Sequence, residues 1–373
     1  MNVIFTCGGT GGHINPAIAV ADLWKEKYPD SKILFIGADG GMEEQLVPKA
    51  GYELVTLPGG GLSRSLNFKG IKKNCKVVCQ MFSSVNRCKK IIRDFDAKVV
   101  VGTGGYASFP ALMAAGLLKV PSCVHESNAV PGVTTRMAAR WVDKILICFQ
   151  QSQQYYKEKE KIQVVGMPVR SEFIYSDKQA CREKLGLDSR PVILSTFGSQ
   201  GAKVMNEMTA ELMRLQKEAG YPYQHIHAVG KFGWEWMPKL VAEKGVDDAA
   251  IQLKEYLYDM PVVMTAADVV ISRAGASTCN EIAASGTPCI LIPSPNVTAN
   301  HQEKNARALE AQGAAEVILE ADCTAQDVFN RIQVLLEDRE KYEKMQKAQL
   351  SMAVPDSAQR LCGIMEALIA KKG

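Results

Sequence analysis

Short runs rich in Val and Ile, separated by amphipathic stretches of about a dozen residues, recur along the whole chain. The first half holds NVIFTC (2–7), KILFIG (32–37), AKVVVG (97–102), VPSCVHE (120–126), KILIC (144–148) and IQVVG (162–166). The second holds PVILSTFG (191–198), YQHIHAVG (223–230), IQLKEYL (251–257), DVVISR (268–273), PCILIP (288–293) and AAEVIL (314–319). Strands covered by helices on both faces read this way, and helical crossovers make them parallel. The alternation thins over 166–191 and then resumes. Each half opens with strand, glycine-rich loop and helix. The pattern predicts an α/β chain of two tandem doubly wound parallel-sheet domains, 1–166 and 167–353. A C-terminal helix within 354–373 buries Leu361, Ile364, Met365 and Leu368 on one face and is expected to return to the first domain. A length of 373 residues suits two domains.

The totals exclude several classes. A net charge of +4 gives no case for nucleic acid. The 11 cysteines form no CxxC pair and sit mostly in apolar runs, so they read as small buried hydrophobes in a reducing compartment. There is no HExxH and no paired cysteine set, so no metal is expected. The start MNVIFTC enters a strand without a basic leader, and no apolar run nears the ~18 residues of a membrane span. The expectation is a cytoplasmic location.

The loops carry the chemistry. CGGTGGHINP (7–16) sets four glycines between the first strand and a helix. Asn15 reads as the N-cap and Pro16 as the first helical residue. Residues 8–13 are then either a tight turn or an anion site at a helix N-terminus. The dinucleotide fingerprint fails, because the sixth residue from Gly9 is Ile14, and no phosphate-loop Lys follows. VGTGGYASFP (101–110) repeats the form. HESNAVPG (125–132) places His125, Glu126 and Asn128 at a strand end, as a hydrogen-bonded turn or as site groups. In FGSQGA (197–202), Ser199 could hold phosphate at a helix start. In SRAGASTCNEIAASGTP (272–288), Thr278 and Glu281 have capping-box spacing, and the helix ends at Gly286. Glu281 either caps that helix or accepts both hydroxyls of a ribose. Asn300, His301 and Gln302 open another helix and suit sugar hydroxyls. DFD (94–96) reads as a solvated helix end. Between Arg64 and Lys90, basic residues including Lys69, Lys72, Lys73 and Lys76 oppose an apolar helical stripe. That face meets solvent or an anionic bilayer.

GGTGGH, GTGGYAS, HESNAVPG, GMPVR, GSQGA, SRAGASTCNEIAASGTP and NHQEKNA occur in order over nearly the whole chain. The set resembles the bacterial UDP-N-acetylglucosamine–N-acetylmuramyl-(pentapeptide) pyrophosphoryl-undecaprenol N-acetylglucosamine transferases, the MurG family. The resemblance implies two Rossmann-like domains facing a cleft, the GT-B arrangement. It implies inverting transfer of GlcNAc from UDP-GlcNAc to the C4 hydroxyl of MurNAc in lipid I, giving lipid II and UDP, with no metal or cofactor. It implies an acceptor and membrane-facing first domain and a donor-binding second domain. Donor contacts would come from Arg170 and Ser199 at phosphate, Leu257 at uracil and Glu281 at ribose. Ala276, Ser277, Thr278 and Gln302 would lie along the diphosphate and sugar, with Thr10, Gly11, Gly12 and Asn128 from the first domain. Gly11, Gly104, Gly105 and Tyr106 would face the acceptor diphosphate. His13 is the first choice of general base and Glu126 the second. The same resemblance implies a peripheral protein on the cytoplasmic face of the membrane, docked through Lys69, Lys72, Lys73 and Lys76, and partners in wall synthesis or division. Three residues depart from the family pattern: Phe197 for Gly, Met167 for Asn and Ser127 for Gln.

Other readings keep the fold and change the activity. A UDP-GlcNAc 2-epimerase or a glycolipid synthase would use the same donor. An NAD oxidoreductase has Asp39 after the second strand but a broken fingerprint. A sugar-binding protein would show affinity without turnover.

Overall fold

The computed structural model describes residues 1–58, 80, 83–246, 249–297 and 300–372. They form two compact units, Met1–Val169 with Val354–Gly373, and Arg170–Ala353.

The first unit is built on seven strands: β1 Val3–Thr6, β2 Ile33–Ala38, β3 Glu53–Leu57, β4 Val99–Gly102, β5 Ser122–Glu126, β6 Lys144–Ile147 and β7 Ile162–Val164, in the order β3-β2-β1-β4-β5-β6-β7. The second has six: β8 Val192–Thr196, β9 Gln224–Ala228, β10 Ile251–Lys254, β11 Val269–Ser272, β12 Cys289–Leu291 and β13 Glu316–Val317, in the order β10-β9-β8-β11-β12-β13. Every pairing is parallel. The predicted α/β architecture of two doubly wound sheets is the one found. One strand escaped the sequence reading. β3 is an edge strand, mostly half-buried, and ELVTL lacks the continuous apolar run of a central strand.

In both sheets the chain reverses its winding beside the first strand, between β1 and β4 and between β8 and β11. Ligands of open α/β sheets bind outside the strand C-termini at such a switch point. The four loops that leave those ends carry GGTGG, TGGY, FGSQGA and RAGAS. Topology thus brings together the glycine-rich segments within each unit.

Each face of the first sheet has its own core. Ile4, Leu112, Val124 and Ile145 lie on one side; Phe5, Ile14, Trp24, Leu361 and Met365 lie on the other. The helix Ser357–Lys372 buries Leu361, Cys362, Met365 and Leu368 against this second core, with Ile364 half-buried at its border. Lys27–Glu366 at 2.6 Å and Lys372–Asp143 at 3.0 Å pin the same helix at its rim. In the second unit the helices Lys203–Glu218 and Ala325–Glu337 cover the sheet with Met205, Leu212, Val328 and Ile332. All nine described cysteines are free thiols, seven of them buried. Asp94 and Asp96 pair with Lys90 and Lys98 at the exposed end of helix 83–94.

Candidate functional site

In the first unit the helix after β1 runs from Gly11 to Lys27, with Thr10 as N-cap. This corrects the expected start at Asn15 and Pro16. The Thr10 carbonyl already accepts His13 N–H at 3.0 Å and Ile14 N–H at 3.2 Å, closing a turn before Pro16 is reached. Pro16 sits inside the helix and has no N–H to give the Gly12 carbonyl. The shift matters for chemistry. His13 becomes a first-turn residue, held rigidly, and Gly11 and Gly12 become the helical residues whose N–H groups have no acceptor within the helix.

His13 is fixed from two sides. Its Nδ1 lies 2.9 Å from the Thr103 carbonyl, and the Thr103 hydroxyl donates to the His13 carbonyl at 2.6 Å. A carbonyl only accepts, so Nδ1 carries the hydrogen and Nε2 of the neutral ring carries the lone pair. Gly104 and Gly105 make this possible. A Cβ on Gly104 would lie 2.5 Å from His13 Nδ1, and one on Gly105 would lie 2.3 Å from the Gly8 carbonyl oxygen. Both glycines also have positive φ, 110° and 85°. Their bareness is thus explained by packing between the two loops. The Tyr106 hydroxyl beside them is buried with no partner among the described residues.

Glu126, at the end of β5, is 2% exposed. Its Oε1 accepts from Asn128 N and Nδ2 at 2.9 and 3.0 Å; its Oε2 accepts from Gly132 N at 2.9 Å and from the Thr135 hydroxyl. The carboxylate braces its own loop and the helix that follows. His125 is fully buried, with Nε2 2.9 Å from the Gly166 carbonyl, and burial lowers its pKa. It ties β5 to the segment after β7 and presents no group for chemistry.

Glu43 was not singled out from the sequence. It is fully buried below the glycine-rich turn, accepting Gly9 N–H at 3.1 Å and Ala38 N–H at 2.8 Å. No local pattern marks it: Gly37 and Gly41 lie in its own segment, but the Gly8 that completes the space comes from the turn after β1.

In the second unit Ser199 lies in a turn closed by Gly201 N–H to the Gly198 carbonyl at 3.0 Å. The helix that follows begins at Lys203 with Ala202 as N-cap, which corrects the expected place of Ser199: it lies in the turn before the helix and not at its start. A second turn locks the first: Lys231 N–H reaches the Ser199 carbonyl and Phe232 N–H the Gln200 carbonyl. Phe197 is buried against the His227 ring and under the Arg273 guanidinium, which accounts for a large residue at that position. In the first unit Met167 is likewise buried against Cys148, and Ser127 is buried.

The helix Ala276–Ser285 is capped by Gly275 and ends at Gly286 in the left-handed region, φ 62°. Thr278 is therefore its third residue and Glu281 its sixth. The capping box is absent, since Glu281 lies beyond reach of the first N–H groups. Instead Glu281 accepts from the Ser277 hydroxyl at 2.8 Å. Burial raises its carboxyl above the ordinary carboxylate range, and the Ser277 hydrogen bond and the Arg170 charge act against that rise. Leu257 follows β10, between Tyr256 and Tyr258, whose rings meet edge to face at 4.8 Å. Gln302 Oε1 accepts Ser294 N–H at 2.9 Å, and Asn305 Nδ2 donates to the Ala274 carbonyl at 3.2 Å. The Asn305 amide holds the residue before the Gly275 cap, and Gln302 ties its helix to the segment after β12; the sequence reading missed Asn305. Arg170, Ser277 and Glu281 thus share one neighbourhood at the N-terminal half of this helix.

Among the described residues no group of three or more His, Cys, Asp or Glu side chains is placed to hold a metal ion. No described helix is long and apolar enough to cross a membrane. Lys69, Lys72, Lys73 and Lys76 lie outside the described residues.

Residues 3–147 match the glycosyltransferase family 28 N-terminal domain, and residues 192–361 match its C-terminal domain. The chain belongs to glycosyltransferase family 28. It is 39% identical to the UDP-N-acetylglucosamine–N-acetylmuramyl-(pentapeptide) pyrophosphoryl-undecaprenol N-acetylglucosamine transferase of Acetivibrio thermocellus, over 100% of this chain and 99% of that protein. The crystal structure of Acinetobacter baumannii MurG is similar at TM-score 0.72 and 25% identity, over 98% of this chain and 99% of that one. A UDP-GlcNAc 2-epimerase from Neisseria meningitidis, bound to UDP-GlcNAc, shares the fold at TM-score 0.68 and 16% identity over 100% of both chains. As a family 28 member the chain is a glycosyltransferase. The two glycine-loop clusters described above fall one in each family domain.

Proposed function

We propose that the enzyme transfers GlcNAc from UDP-GlcNAc to the C4 hydroxyl of MurNAc in lipid I, giving lipid II and UDP with inversion at the anomeric carbon. Full-length likeness to transferases of that name supports the substrate pair. One observation carries the chemistry: Thr103 holds His13 in the tautomer of a general base. In the step, His13 Nε2 takes the proton of the acceptor hydroxyl. The hydroxyl oxygen bonds to C1 of GlcNAc, the C1–O bond to UDP breaks, and its electron pair leaves on the diphosphate. Glu126 is read as the brace of the loop bearing Asn128, because its oxygens are already engaged.

Arg170 and the N-terminus of the helix Ala276–Ser285 would offset the charge developing on UDP. Ser199, Ala276, Ser277, Thr278, Gln302 and Leu257 are proposed to line the donor, and Thr10, Gly11, Gly12 and Asn128 are proposed as further donor-binding residues. Gly11 and Gly12 keep helix-start N–H groups for an acceptor phosphate. Gly104 and Gly105 serve that loop indirectly, by seating His13 and Gly8. UDP release measured with and without a short-chain lipid I analogue, in the presence of a chelator, tests the reading. Acceptor-dependent release that survives the chelator is expected; release or donor turnover independent of acceptor would refute it.

Glu281 is proposed to accept the ribose hydroxyls. Glu281→Ala should weaken UDP binding by ~1.5–3 kcal/mol, the range for hydrogen bonds to a charged group. Calorimetric titration with UDP decides: unchanged affinity would leave Glu281 only its bond to Ser277.

We place the enzyme at the cytoplasmic face of the membrane, on the pattern of Lys69, Lys72, Lys73 and Lys76 opposite an apolar stripe. Each basic residue near an anionic surface contributes ~1 kcal/mol. Reversing the charge of Lys72, Lys73 and Lys76 should abolish low-salt sedimentation with phosphatidylglycerol vesicles. Retained sedimentation would return that face to solvent.

A further inference from the structure

The Glu43 carboxylate has no part in the reaction as proposed, yet the first unit is built around it. It is fully buried. A Cβ on Gly8 would come within 2.8 Å of its Oε1, one on Gly37 within 2.5 Å of its Cγ, and one on Gly41 within 2.2 Å of its Oε2. Three glycines from three separate segments, the β1 turn, the end of β2 and the loop after it, therefore leave space for one side chain. Its two oxygens hold two backbone donors that no strand pairing engages: Gly9 N–H at 3.1 Å and Ala38 N–H at 2.8 Å. Burying a carboxylate is costly unless such donors meet it. A space this specific implies a role that a smaller apolar residue would not fill.

The Gly9 bond is the informative one. Gly9 is in the left-handed region, φ 87°, and the next residue is the N-cap Thr10, whose carbonyl binds His13 N–H and Ile14 N–H. Fixing Gly9 N–H fixes where the helix starts, and so where the His13 ring enters the Thr103 carbonyl. It also removes the Gly9 N–H from any phosphate.

We propose that Glu43 is a positioning residue for His13, acting through the Gly9–Thr10 turn. The catalytic consequence rests on the reading of His13 as base; the positional one does not. Glu43→Gln keeps the size but sets an NH2 group against one of the two backbone donors, so one bond is lost.

The test uses the full chain with two readouts. The first is the imidazole ¹⁵N spectrum, with the His13 signals assigned from His13→Gln. Wild type should show protonated Nδ1 and unprotonated Nε2. E43Q should show averaged tautomers. The second is steady-state kinetics with a short-chain lipid I analogue, where misplacement by about 1 Å can cost ~10²-fold in kcat. His13 signals and kcat at wild-type values in E43Q would overturn the proposal. If wild type itself shows no acceptor-dependent turnover, the functional reading fails while the ¹⁵N signals still decide the positional one. Should E43Q not fold, Glu43→Asp, which keeps the charge but withdraws it by one methylene, is read by the same signals.

Discussion

His13→Ala enzyme is expected to turn over ~10²–10⁴-fold more slowly than wild type, the usual contribution of a positioned general base. Its UDP affinity and melting temperature should stay close to wild type, because His13 is half-buried and contacts the glycine loops rather than the sheet core. A neutral imidazole with Nδ1–H committed to the Thr103 carbonyl has its lone pair on Nε2, and a base needs that lone pair before the acceptor hydroxyl arrives. Glu126 cannot substitute without giving up Asn128, Gly132 or Thr135, so Glu126→Gln should lower the melting temperature as well as the rate. Steady-state kinetics on the two variants separates the roles. A His13→Ala rate within a few-fold of wild type would move the base elsewhere.

The second unit is expected to lose stability in acid through a histidine pair that takes no part in the chemistry. Ser195 Oγ lies 2.6 Å from His225 Nε2 and 2.7 Å from His227 Nδ1, all fully buried between β8, β9 and the helix Lys203–Glu218. Asn206 Nδ2 donates to the Val229 carbonyl at 2.9 Å, so its Oδ1 accepts from His227 Nε2–H at 3.2 Å. His227 Nδ1 then accepts the Ser195 proton, and Ser195 accepts from His225 Nε2–H. His225 Nδ1 lies 3.0 Å from the Gln216 side-chain amide; with the ring hydrogen on Nε2 this nitrogen accepts, so the amide turns its otherwise unpartnered NH2 group to it, and one hydrogen then sits in each contact with both rings neutral. Burial lowers both pKa values, that of His227 to about 4 from 6.5. The unfolded chain therefore binds protons first as pH falls. Stability is complete above the unfolded value and is lost from about pH 6.5 down to about 4, where His227 alone costs about 3 kcal/mol. Urea midpoints at pH 7, 5.5 and 4.5 should fall in that order, and His227→Gln should flatten the slope. An unchanged slope in the variant would assign the acid loss to carboxylates.

Much of this was legible in the sequence because it depends on residues close together in the chain. Twelve of the strands announce themselves as apolar runs, and Gly286 marks its helix end by being glycine before Thr287 and Pro288. What escaped depends either on partners far apart or on two neighbouring local signals competing for one helix start. β3 is a strand only because β2 accepts it at an edge. Asn15–Pro16 is a strong local start signal, but the Thr10 carbonyl closes the turn earlier. Thr278 and Glu281 have capping spacing, yet Gly275 already caps the helix, which frees Glu281 to take the Ser277 hydroxyl. Glu43 carries no pattern of its own: Gly37 and Gly41 stand in its segment, but folding must add Gly8 and the Gly9 N–H from the turn after β1. The glycines that suggested a phosphate cradle turn out in part to be clearances for His13, Gly8 and Glu43.

The most direct test is the identity of the product. UDP-GlcNAc labelled in the sugar is incubated with the enzyme and a short-chain lipid I analogue, and the product is examined by mass spectrometry and NMR. The expected product is a lipid-linked disaccharide with GlcNAc β-linked to the C4 oxygen of MurNAc, and unchanged UDP-GlcNAc when acceptor is omitted. Label appearing in UDP-N-acetylmannosamine without acceptor, and no disaccharide with it, would contradict the transferase reading and favour the epimerase chemistry that shares this fold.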